Sequence, residues 1–175
     1  NAIVWIAMVA AGANILGSPI SMLYEWGANS TSAVQNGQAW RLLSSMFLHG
    51  NVFHLVINMA ALVSAGLIVE RIYGHRLYAL IYFASGIVGS SLSLYFASQT
   101  TVAVGASGAI FGVTGALFVA IFQHRKRLPK SFSKQMITSL SFFITYSIFH
   151  LCEKFMPEYR ALFFSDLSDE EASGL

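Results

Sequence analysis

Charge is scarce in this chain, and so is cysteine. Asp, Glu, Lys and Arg make up 10% of the 175 residues, where a soluble domain carries about 25%. Hydrophobic residues make up 55%, and mean hydropathy is +0.62. That balance excludes an ordinary water-soluble globule and points to a polytopic helical membrane protein. The one cysteine, Cys152, excludes a disulfide within the chain. A formal charge of +2 gives no reason to invoke nucleic acid. No basic segment precedes Ala2, as a secretory signal would require. The first residue is Asn1, not Met, which reads as a processed N-terminus or a fragment.

What is present is a series of apolar runs with short polar joints. Residues 2–17 read as a first helix, clipped at its start and short of the ~20 residues that cross ~30 Å of hydrocarbon. Residues 18–50 read as a long connection holding Pro19, Gly27, Gly37 and the polar patch Asn29-Ser30-Thr31-Ser32. Its Tyr24, Trp26, Trp40 and Phe47 favour the headgroup region, which lays the loop partly in the interface. Trp40-Arg41 reads as an anchor at that boundary. Further helices are expected at residues 51–70, 77–97, 107–123 and 135–152. The joint from Glu70 to Arg76 is charged, with Glu70 and Arg71 expected to pair, and the stretch from His124 to Lys134 is the most basic in the chain.

Alternating helices place both basic joints on one side, which the positive-inside rule makes cytoplasmic. The basic run is then a topology signal with lipid phosphate contacts. His49, His54 and Asn58 start one helix and Ser107 starts another, so both polar clusters lie at one depth below the opposite face.

Polar groups at membrane depth are costly unless they pair or act. Ser107 stands between glycines in Gly105-Ala106-Ser107-Gly108, with Gly112 one turn on. Small residues at such spacing also serve close helix packing. A nucleophile would gain from the same setting, because bare backbone admits a reacting carbonyl and helix N-terminal amides can face an oxyanion. His54 and Asn58 are one turn apart on one helix face. Interhelical hydrogen bonding and oxyanion donation both suit them. Metal binding does not, since no carboxylate or cysteine lies within helical reach.

Taken in order, Trp40-Arg41, His49-x4-His54-x3-Asn58, Glu70-Arg71-x2-Gly74 and Gly105-Ala106-Ser107-Gly108 running into Gly112 and Gly115 resemble the rhomboid family of intramembrane serine proteases. The resemblance implies an all-α polytopic bundle, with five transmembrane helices present of a six-helix core, over residues 1–152. It implies Ser107 as nucleophile, His54 and Asn58 as oxyanion-stabilising residues, and His49, Gly105 and Gly108 as supporting ones. It implies transmembrane protein substrates cut within the lipid bilayer, an active-site side facing away from the cytoplasm, and no cofactor or metal.

The family's general base is a histidine early in a sixth helix, and residues 153–175 hold no histidine. That polar, acidic tail reads as outside the family pattern, with activity impaired by the missing base. His150, near the end of the expected fifth helix, reads as a polar residue at a headgroup boundary. A rhomboid-like pseudoprotease that binds transmembrane helices without cutting them is the alternative. A small transporter subunit is a weaker one, since no inverted repeat is visible.

Overall fold

The computed structural model describes residues 1–96 and 101–124, and between 134 and 148 residues 134, 136–138, 141, 143–145 and 147–148. His150, Cys152, the tail at 153–175 and most of the expected fifth helix and basic run lie outside the described residues. The elements in chain order are α1 (Ala2–Ala10), α2 (Ile20–Glu25), β1 (Asn29–Ser30), α3 (Thr31–Gln35), α4 (Arg41–Ser44) with a 3-10 turn at Ser45–Phe47, α5 (Val52–Phe96), β2 (Val102–Ala103) and α6 (Ser107–His124). The chain is therefore mostly helical. The all-α expectation needs one amendment, because β1 and β2 form a short antiparallel pair, with Asn29 opposite Ala103 and Ser30 opposite Val102.

Among the described residues two helices, Val52–Phe96 and Ser107–His124, are long and apolar enough to cross a membrane. The first is a hairpin. Gly74 has φ 78° and ψ 162°, outside the helical region and open to a residue without Cβ. A methyl group placed on Gly66 would lie 2.9 Å from the Tyr78 hydroxyl, a contact that only a folded-back helix allows. The arms, residues 52–73 and 75–96, are each about 33 Å long, enough to span. Each also matches an expected helix, at 51–70 and 77–97.

The expected first helix ends early. Residues 2–17 form a helix only to Ala10, closed by Gly12 N–H to the Val9 carbonyl at 2.9 Å and Ala13 N–H to the Met8 carbonyl at 2.9 Å. This paired glycine cap satisfies the last carbonyls and turns the chain aside. The same pairing closes α2 at Gly27 and α3 at Gly37.

α6 lies against the second arm of α5 through small residues. A methyl placed on Gly89 would sit 2.9 Å from the Gly108 Cα, and one on Gly112 would overlap Ser85. Helices in lipid gain nothing from burying apolar surface against each other, so such backbone approach is what holds them. Gly115 faces open space and takes no part. Beside this seam, Met46, Ala65, Val69, Tyr82, Val113 and Leu117 form the main core. A second cluster, Met8, Leu23, Ala28 and Leu48, joins α1 to the loop that follows.

Candidate active site

The expected site residues sit on two elements and the turns that lead into them. Asn51 caps α5, its Oδ1 accepting the His54 N–H at 2.8 Å, which starts the helix with His54 in its first turn. Asn58 follows one turn later and donates Nδ2 to the His54 carbonyl at 2.8 Å. Among the described residues neither the second Nδ2 hydrogen nor the buried Oδ1 has a hydrogen-bond partner. His49 stands in the turn before the helix, its ring edge-on to that of His54 with centroids 5.1 Å apart. That turn is tied down by Ser18 N–H to the Gly50 carbonyl and Val52 N–H to the Ile15 carbonyl.

His49 is completely buried. Neither ring nitrogen has a partner in hydrogen-bonding geometry among the described residues. Burial pushes the imidazole down to about 4, and the opposing pull of the Phe47 backbone does not offset it. His49 is therefore neutral near pH 7, a packing piece behind His54.

Ser107 is half-buried and opens α6. The first helical hydrogen bond there runs from Ile110 N–H to the Ala106 carbonyl, so the amides of Ser107, Gly108 and Ala109 have no acceptor within the helix. Gly105 has φ 121°, a conformation that side chains disfavour. A methyl there would stand 2.7 Å from His54 Cε1 and 2.8 Å from Nε2. The bare backbone two residues before the serine thus presses on the His54 ring. Ala106 packs with Ile110 against Ile57 and Ala61 of the first arm. The structure brings together His49, His54, Asn58 and the Gly105 turn, and Ser107 follows directly on that turn. Gly108 is engaged elsewhere, on the seam with Gly89. An apolar cavity of about 420 Å³ adjoins, sharing Ile57, Ala61 and Phe143 with the Ala106 cluster.

Two sequence readings are corrected, one in the loop before the site and one at the far end of the first arm of α5. Arg41 is not a headgroup anchor. It is buried, donating Nη1 to the carbonyls of Tyr24 at 2.6 Å and Ala28 at 3.0 Å and Nε to Gln38 Oε1 at 2.7 Å, beneath the Tyr24 and Trp40 rings. Asn29, Ser30 and Thr31 are likewise buried, whereas Trp26 and Trp40 are at the surface. Glu70 meets His75 at 2.6 Å and not Arg71, because adjacent helical residues diverge while the Gly74 turn swings His75 back. Sequence reasoning missed Ser45, whose carbonyl accepts the Gly105 N–H at 2.9 Å. The bond uses a backbone carbonyl, so the side chains of the Ser44-Ser45 pair gave no signal for it. Among the described residues no group of three His, Cys, Asp or Glu side chains could hold a metal ion.

A family model for the Rhomboid domain matches residues 36–163, most of the chain. The chain belongs to the rhomboid family. As a rhomboid it is an integral membrane protein of a family that includes intramembrane serine proteases. It is 41% identical over 115 residues to the rhomboid protease GluP of Bacillus subtilis, covering 66% of this chain and 22% of the relative. It is 40% identical over 104 residues to RHOMBOID-like protein 5 of Arabidopsis thaliana, covering 59% and 34%. The Inactive RHOMBOID-like protein 8 of the same plant is 36% identical over 108 residues, covering 61% and 30%. This rhomboid chain thus spans about a fifth to a third of the length of these relatives. No solved structure matches it significantly.

Proposed function

We propose that this chain is an intramembrane serine endopeptidase acting on transmembrane segments, with Ser107 as nucleophile. The observation that carries the reading is the Gly105 turn pressed onto the His54 ring, which sets the serine-bearing helix start beside a polar cluster at membrane depth. Three helix-start amides free of helical acceptors and the spare Nδ2 hydrogen of Asn58 suit a developing oxyanion, with His54 as a further donor. His49 supports His54 from behind, and Gly108 fixes the depth of the helix start through its seam with Gly89. The adjoining apolar cavity suits hydrophobic residues flanking the scissile bond.

On this reading the His75 and His124 ends of the helices face the cytoplasm, and Ser107 lies near the opposite side. A serine hydroxyl needs a base to become a nucleophile, and none is assigned among the described residues. The test is a serine-directed fluorophosphonate probe applied to the chain in detergent. Labelling that is lost in Ser107→Ala supports the reading, and labelling unaffected by that change would overturn it.

A second reading is a pseudoprotease that binds transmembrane helices without cutting them. Similarity to a relative named as inactive favours it. Absent labelling together with retained capture of a transmembrane peptide would establish it.

A further inference from the structure

Asn29 is 1% exposed and lies on a loop far in sequence from everything it touches. Its Nδ2 donates to the Ser90 carbonyl at 2.8 Å and lies 3.3 Å from the Ser93 hydroxyl, both on the second arm of α5. Its backbone pairs with Ala103 in β2, four positions before Ser107. A parallel tie runs beside it. Ser45 Oγ and Ser90 Oγ are 3.5 Å apart, and the Ser45 carbonyl accepts the Gly105 N–H at 2.9 Å. Ser90 is thus a post from which two lines reach the chain just ahead of the serine, one through Asn29 to Ala103 and one through Ser45 to Gly105.

The residues from 101 to 106 have no helix of their own to fix them. Their course decides where α6 begins and how Gly105 meets His54. Ser90 lies well before the helix end at Phe96, so its carbonyl keeps its helical donor and shares its outer side between the Asn29 amide and the Ser93 hydroxyl, each at 2.8 Å. Losing the Asn29 amide therefore leaves the helix intact and frees the strand pair.

We propose that Asn29 is a positioning residue for Ser107, holding the β1–β2 pair to the second arm of α5 and so setting the entry of the chain into α6. The inference rests on the reading of Ser107 as nucleophile. Asn29 itself lies outside residues 36–163, the part matched by the family model.

The test uses the full chain in detergent, with Cys152→Ser as background. Asn29→Ala is compared with the same variant carrying Ser30→Cys and Val102→Cys, whose facing positions in the strand pair allow a disulfide. Fluorophosphonate labelling at Ser107 and hydrogen exchange of the Gly105 amide are both followed. Asn29→Ala is expected to slow labelling about tenfold, since displacement of about 1 Å at a reacting group can cost a hundredfold. Gly105 exchange should rise about tenfold while the amides of α5 and α6 stay protected. Closing the disulfide restores both, and reduction removes the rescue.

Unchanged Gly105 exchange in Asn29→Ala overturns the inference, as does exchange that rises equally throughout α5 and α6. So does a closed disulfide that restores nothing. If the parent chain does not label, the Ser107 reading fails on its own and Gly105 exchange decides the role of Asn29. Should Asn29→Ala not fold, Asn29→Leu keeps the volume without the donor and is read in the same way.

Discussion

The seam between α6 and the second arm of α5 is built by removing side chains, whereas residues 18–50 are held by polar side chains folded inward. In the seam Gly89 meets Gly108 backbone to backbone and Gly112 admits Ser85. In the loop Arg41 gathers the Tyr24 and Ala28 carbonyls, Ser44 donates to Gly27 at 2.6 Å, and Asn29 reaches Ser90. The difference follows from where backbone hydrogen bonds go. Helices satisfy their own, so in lipid they need only fit closely. Short turns with irregular backbone leave carbonyls open, and once buried these must be met by protein groups. The serine start belongs to both regimes, with Gly108 in the seam and Gly105 hung from the loop at Ser45.

The largest effect should come from filling the seam. Gly108→Leu drives a side chain into the Gly89 backbone, which cannot yield as a flexible side chain would. Loss of about 4 kcal/mol or more is expected, read as collapse of protease resistance in detergent. A variant of parental resistance would show that the seam does not hold the helices.

Acidification tests the buried turn behind His54. His49 titrates near 6.5 when unfolded and near 4 when folded, so the unfolded chain takes up the extra proton between those values. The stability it contributes is complete above pH 6.5 and disappears as pH falls toward 4. The loss is on the order of 3 kcal/mol, measurable by unfolding at stepped pH, and the slope should fall by that contribution in His49→Phe.

Arg41→Lys comes next. A lysine cannot hold two carbonyls and Gln38 from one planar fork, so about 2 kcal/mol should be lost. The loss should be local, seen as protease nicking within residues 20–45 while the α5 hairpin stays intact. Smallest is His75→Ala at the exposed hairpin turn, where the ring is 92% accessible. Its pairing with Glu70 should change stability by no more than about 0.5 kcal/mol.

Much of the helical half was legible because its signals are local. Asn51 caps one helix, Ser107 starts another, and Gly74 falls in the charged joint where the hairpin turns. The resemblance carried by the ordered motifs brought His54, Asn58 and Ser107 into one hypothesis, where spacing by itself left helix packing and hydrogen bonding open. The loop was not legible in that way. Whether Arg41 or Asn29 faces water or the interior depends on partners 13 to 64 residues away, which no local pattern records. The first helix was overread for a related reason: residues 11–17 are apolar enough to continue it, yet Gly12 closes it with two backbone bonds.

The β1–β2 pair joins positions more than seventy residues apart in the chain. A ribosome releasing this protein would therefore deliver the loop long before its partner strand exists. The entry to α6 can take its final shape only after both hairpin arms have inserted, because contacts of such long range form late. Until that closure the Gly105 turn has no strand pair beside it to fix its course.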